Sequence, residues 1–85
     1  MYEWDNNKNK LNAEKHGVWF DEMDGFDWDS AVVNSDNRHD EKRWTAIGYI
    51  GDRLYVVVFA LRGEKVRVIS LRKANEREQK RYSNV

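Results

Sequence analysis

The residues with the greatest chemical reach sit late in the chain. Arg62, Arg67, Arg72 and Lys73 are followed by Arg77, Lys80 and Arg81, with Glu78 and Tyr82 between and beside them. That set suits cleavage of an RNA phosphodiester without a metal. The reaction needs a base for the ribose 2′-OH, an acid for the leaving 5′-oxygen, and positive charge where the phosphorane gathers negative charge. Arginine supplies the charge through two parallel hydrogen bonds, and Glu78, Tyr82, His16 and Lys8 are the groups able to move protons. Plainer roles stand beside each of these. An arginine can be a solvated surface residue or an ion-pair partner. Glu78 stands three residues after Asn75, the spacing of a helix capping box. Tyr82 can pack on a sheet, and His16, next to Gly17, can cap a helix C-terminus, where a cation is favoured.

The elements that must position these residues follow from the pattern. Asp5 is a good helix N-cap and Gly17 suits the left-handed position after a helix, which predicts a helix over residues 6–16. Its apolar content is small, and Lys8, Asn12, Lys15 and His16 share one face. Phe20 and Met23 predict a second short helix, with Asp21 as its cap, ending near Trp28, although Gly25 weakens it. Residues 31–34 read as a short strand and 35–40 as a polar loop. Three strands then follow, 42–50, 53–61 and 65–71, joined by the tight turns Gly51-Asp52 and Gly63-Glu64. The middle one is apolar on both faces and is expected to be central. The capping box Asn75/Glu78 starts a terminal helix over 76–83. The expected class is α+β: two N-terminal helices, a four-stranded antiparallel sheet and a C-terminal helix, in a single domain over 1–85. Strict alternation puts Val66, Val68, Ser70 and Arg72 on one face of the last strand and Lys65, Arg67, Ile69 and Leu71 on the other. Arg67 and Arg72 therefore point apart unless a bulge intervenes.

Composition narrows the chemistry further. The 85 residues include no Cys, which removes disulfides, thiolate nucleophiles and Cys-based zinc sites. His16 and His39 stand alone, and the only acids of the basic half are Asp52, Glu64, Glu76 and Glu78, so no metal site and no cofactor is expected. No phosphate loop or hydrolase motif appears. No apolar run is long enough to span a bilayer and the N-terminus lacks the features of a signal peptide, so a soluble cytoplasmic protein without membrane contact is expected. Net charge is zero but segregated. Residues 1–41 carry 4 Lys/Arg against 11 Asp/Glu, and residues 42–85 carry 11 against 4, net −7 and +7. Such asymmetry points to a polyanion-binding surface, unless folding brings the halves together and cancels the field.

A family resemblance rests on residues spread along nearly the whole chain. These are Trp4-Asp5-Asn6-Asn7-Lys8, Asn12, Lys15-His16-Gly17-Val18, Phe20-Asp21-Glu22, Glu41-Lys42-Arg43, Ile47-Gly48 and, above all, the continuous run from Arg62 to Glu78, with Tyr82. In this order they resemble the BrnT toxins of prokaryotic type II toxin-antitoxin modules. Leu71 and Asn75 stand where the family pattern often has Ala and Thr, and Phe26-Asp27-Trp28-Asp29 replaces its usual segment ending in Asp-Pro. The resemblance implies a RelE-like ribonuclease fold and RNA cleavage that arrests translation. It further implies neutralisation by a BrnA-type antitoxin, which binds operator DNA with the toxin attached. Carried over by residue, it assigns Arg62, Arg67, Arg72 and Glu78 to the catalytic set. Lys8, Lys15, His16, Arg43, Arg77 and Tyr82 are the candidate RNA contacts. The alternative from another class is a binding module whose basic surface docks an acidic partner protein or nucleic acid without chemistry.

Overall fold

The computed structural model describes residues 1–37 and 40–84, so His39 lies outside the described residues. The elements run β1 (Tyr2–Glu3), α1 (Asn6–His16), a 3-10 helix (Phe20–Gly25), β2 (Val32–Asp36), β3 (Arg43–Ile50), β4 (Arg53–Arg62), β5 (Lys65–Lys73) and α2 (Glu76–Ser83). The strands form one sheet in the order β1-β5-β4-β3-β2.

This corrects the expected architecture in two places. The sheet has five strands and is mixed, because Tyr2 and Glu3 pair in parallel with Val66 and Arg67. A two-residue strand carries no periodic pattern of its own. It exists because β5 offers an open edge, where the Val66 N–H donates to the Met1 carbonyl at 2.8 Å. The expected second N-terminal α-helix is instead a single 3-10 segment that stops at Gly25. Phe20, Met23 and Phe26 recur every three residues, which matches three residues per turn and stacks all three buried side chains on one face. The strand expected over 31–34 runs on to Asp36, into part of the expected loop.

The α1 and α2 termini form as their cap residues dictate. The Asp5 carboxylate accepts from the N–H groups of Asn7 and Lys8, and Gly17 ends α1 at φ 73°. Asn75 and Glu78 bond reciprocally at the start of α2.

The sheet is covered differently on its two faces. One face carries Ala46, Val57, Phe59, Val68 and Leu71 and packs against Val18, Phe20, Met23 and Phe26, with Trp4 and Trp28 at the margin. Gly48 belongs to this face because Phe26 Cζ would lie 2.7 Å from any Cβ placed there. The opposite face holds a smaller cluster of Ile47, Leu54, Val56 and Ala74, on which α2 rests through Tyr82. α1 does not cover either face by apolar packing. Its buried residues are Asn9 and Asn12, and it lies against the outer edge of β5.

Asn12 makes that edge contact much as a strand would. Its side-chain amide donates to the Leu71 carbonyl at 2.8 Å and the Val18 carbonyl at 3.0 Å, and its Oδ1 accepts from the Leu71 N–H at 3.2 Å. Asn9 ties the next segment, accepting from Phe20 N at 2.7 Å and donating to Asp21 at 3.0 Å. An unpaired buried backbone group is costly, so two asparagines can anchor a helix that has almost no apolar face.

Candidate active site

A bulge in β5 decides where the arginines point. Opposite β4, Val58 pairs with Ser70 but Phe59 pairs with Val68, which leaves Ile69 as the extra residue. Alternation is reset there. Val68 and Leu71 both reach the main core, and Arg67, Ser70 and Arg72 share the α2 face of the sheet. The two arginines that strict alternation sets apart therefore lie on one face.

Arg72 is the most constrained of them. Its Nη1 and Nη2 each donate to one oxygen of Glu78 at 2.8 Å, and Nη1 also reaches the Lys73 carbonyl at 3.3 Å. Glu78 Oε1 accepts in addition from Asn75 N at 2.9 Å, so one carboxylate both caps α2 and clamps Arg72. A guanidinium has five N–H groups, so donors remain for a phosphate. The hydrogen bond from Arg72 is the main reason that the Glu78 carboxyl is held below its usual range, with Asn75 N–H and the charges of Arg72 and Arg81 adding to it against the opposing effect of burial. The Glu78 bond also holds Arg72 in its protonated form against desolvation.

Next to this pair stands the end of α1. Lys8, Lys15 and His16 line a shallow depression of about 200 Å³ with Ile69 and Ser70 of the bulge. Burial lowers the His16 pKa first, and the charges of Lys15 and Arg72 lower it further. The imidazole is thereby biased to its neutral form, the form of a proton acceptor. Lys8, Lys15 and His16 thus share one depression with the bulge, and His16 lies within the electrostatic reach of the Arg72–Glu78 pair's guanidinium.

The other expected residues sit elsewhere. Arg67 lies on the same face as Arg72 but is bonded to Glu3 of β1 at 3.1 Å, with both side chains 27% exposed. Arg62 stands at the far end of β4, paired with Glu41 at 3.2 Å. The six positions that separate it from Val56, the partner of Arg72, amount to about 20 Å of strand. These two ion pairs join the acidic half of the chain to the basic half, so the field is partly cancelled within the fold. Arg43 shares the α2 face from β3, and its buried Nε has no hydrogen-bond partner among the described residues. Arg77 is on the exposed side of α2. Tyr82 is committed to structure: its hydroxyl donates to the Ser30 carbonyl at 2.7 Å and its ring meets Tyr49 edge-on. Asn9 and Asn12, which position the site, were legible only as polar residues in a helix poor in apolar ones.

Among the described residues no three His, Asp or Glu side chains gather into a group able to hold a metal ion. No helix among them is long and apolar enough to cross a membrane.

A clamped arginine, a histidine of lowered pKa and two lysines on a small α+β scaffold acquire their class from a family comparison. Residues 4–78 match the family model described as "Ribonuclease toxin, BrnT, of type II toxin-antitoxin system". The chain belongs to this family, which brings with it an RNA target and an antitoxin partner. No curated protein sequence matches the chain.

Proposed function

We propose that the chain is a metal-independent endoribonuclease whose site is built on His16, Arg72 and the lysines of α1. One observation carries this reading: His16, its pKa lowered by burial and by the charges of Lys15 and Arg72, lies within the electrostatic reach of an arginine that a carboxylate clamps from behind. His16 takes the proton from a ribose 2′-OH. The 2′-oxygen attacks phosphorus, the bond to the 5′-oxygen breaks, and a lysine ammonium of the same helix face, Lys8 or Lys15, gives that oxygen its proton. The products are a 2′,3′-cyclic phosphate and a 5′-hydroxyl. Arg72 faces the non-bridging oxygens as charge accumulates on them, and Arg67 and Arg43 on the same sheet face guide the strand. Glu78 orients Arg72 and does not act as the base, since its carboxyl is held at low pKa.

Convergence of cations without a carboxylate cluster supports the metal-free reading. Cleavage in the cytoplasm arrests translation, and a BrnA-type antitoxin neutralises the toxin and carries it to operator DNA. The test is cleavage of RNA by purified protein in EDTA, with the new termini identified. Expected are cyclic phosphate ends and losses of about 10²-fold or more in His16→Ala and Arg72→Ala. Activity that EDTA abolishes and Mg²⁺ restores refutes the metal-free site, and unimpaired variants refute the residue assignment.

A further inference from the structure

A second cavity, roomier than the depression beside His16, lies on the α2 face of the sheet. It is an open groove of about 680 Å³ between α2 and the β2–β3 side of the sheet. Val32, Ile47 and Tyr82 give it apolar surface, and Asn34, Thr45 and Arg81 are among its polar groups, as are the carboxylates Asp36 and Glu78. The strand register explains this mixture. Val32 pairs with Ile47 and Asn34 with Thr45, so all four project from the face that α2 only partly covers. Neither the Asn34 side chain nor the Thr45 hydroxyl is spent on a hydrogen bond to the described residues, and Arg81 has no ion-pair partner among them. Asp36, also on this wall, is already engaged.

The groove is continuous with the proposed catalytic site through a single residue. Glu78 lines it, and the same carboxylate holds Arg72. From β5, which carries Arg72, to β2, which carries Asn34, the sheet spans three strand spacings, about 14 Å. Glu78 therefore stands between Arg72 and the groove, with α2 resting on Ile47 and Val56 beside it.

We propose that the groove holds one unstacked base of the RNA next to the cleaved phosphate, and that Asn34 and Thr45 read its hydrogen-bonding edge. The inference rests on the ribonuclease reading and deepens it. Single-stranded RNA is recognised by proteins through splayed bases that lie on apolar or aromatic surface and bond along their edges. A side-chain amide offers a donor and an acceptor side by side, the complement of a base edge, and a threonine hydroxyl offers either. Arg81, exposed at the end of α2, takes the phosphate that flanks this base. An aliphatic ligand would leave this amide and hydroxyl without a partner on the ligand side, whereas a base edge pairs with both.

Two measurements on the full chain test this. In the first, the protein is titrated with each of the four nucleoside 5′-monophosphates while its NMR resonances are followed. Shifts at Asn34, Thr45 and Arg81 that differ with the base are expected. Shifts confined to Lys8, His16 and Arg72, no shifts with any nucleotide, or a groove that responds to the antitoxin alone would overturn the proposal. In the second, oligoribonucleotides that differ in one base beside the cleaved bond are compared in wild type, Asn34→Ala, Asn34→Asp and Thr45→Val. Asn34→Ala is expected to lower the ratio of kcat/KM between the best and worst base by about tenfold, the lower end of what an amide–base pair contributes. Asn34→Asp, which removes the donor and keeps the shape, changes which base is preferred. An unchanged preference in all three variants overturns the proposal. Should the wild type not cleave RNA, the ribonuclease reading fails, and the mononucleotide titration still decides on the groove.

Discussion

Asn12 is the residue through which the fold sets its own site, and Asn12→Asp isolates that role. The substitution keeps the size and shape of the side chain and replaces an amide donor by oxygen. In the native protein the amide donates to two buried carbonyls, of Val18 and Leu71, while Oδ1 accepts from Leu71 N. A carboxylate retains the last bond, loses the other two, and faces both carbonyl oxygens with negative charge at a position only 7% exposed. Leaving a buried acceptor unpaired costs about 1–3 kcal/mol, so two such groups together with the buried charge amount to roughly 3–6 kcal/mol. A chain of 85 residues has about 4–13 kcal/mol in all, so the variant is expected to be partly unfolded at pH 7.5. Burial against carbonyls raises the pKa of the introduced carboxyl in the folded state. A folded pKa above the unfolded one gives stability that is present at low pH and lost as pH rises through the folded value. Stability should therefore recover towards pH 4.5, where the protonated carboxyl regains one donor. Urea unfolding followed by tryptophan fluorescence reads this directly, because Trp4 and Trp28 pack on the main core. A variant within about 1 kcal/mol of wild type at pH 7.5, or one whose deficit is independent of pH, refutes the account of α1 as a helix held by asparagine.

Three further outcomes are expected. In Arg72→Gln, removal of a positive charge near His16 should raise the His16 pKa, which an NMR titration of the imidazole measures, and the acid limb of the cleavage profile should move to higher pH with it. In Glu78→Gln the capping geometry persists but the charged clamp on Arg72 is lost. The folded pKa of Glu78 lies below the unfolded one, so its contribution is present at neutral pH and lost as pH falls through the folded value. The variant should therefore be less stable than wild type by about 1–3 kcal/mol at pH 7 and close the gap in acid, as read by urea midpoints. Arg62→Ala removes an exposed pair with Glu41 and should change stability by less than about 1 kcal/mol and RNA cleavage by less than about threefold, in contrast to Arg72→Ala.

Local chemistry determined much of the architecture. Asp5, Gly17 and the Asn75/Glu78 box mark three helix ends because capping involves only neighbours in sequence. Gly51 and Gly63, at φ 65° and 61°, mark both hairpin turns for the same reason. The doubly apolar run of β4 identifies the central strand, since only a strand covered on both faces can hold it. The family is legible too, in residues spread from Trp4 to Tyr82. Tertiary structure decided the rest. β1 exists only because β5 leaves an edge open, and residues 20–25 form a 3-10 helix because three apolar side chains must meet one sheet face. The bulge at Ile69 arises in the pairing with β4, not in the composition of β5, yet it alone turns Arg67 and Arg72 to the same side. Which partner each charged group takes was decided last. Glu3 engages Arg67, Glu41 engages Arg62 and Tyr82 engages Ser30, while Arg72 keeps donors to spare beside His16, because ion pairs and hydrogen bonds form between residues that only the folded chain brings within 3 Å or so.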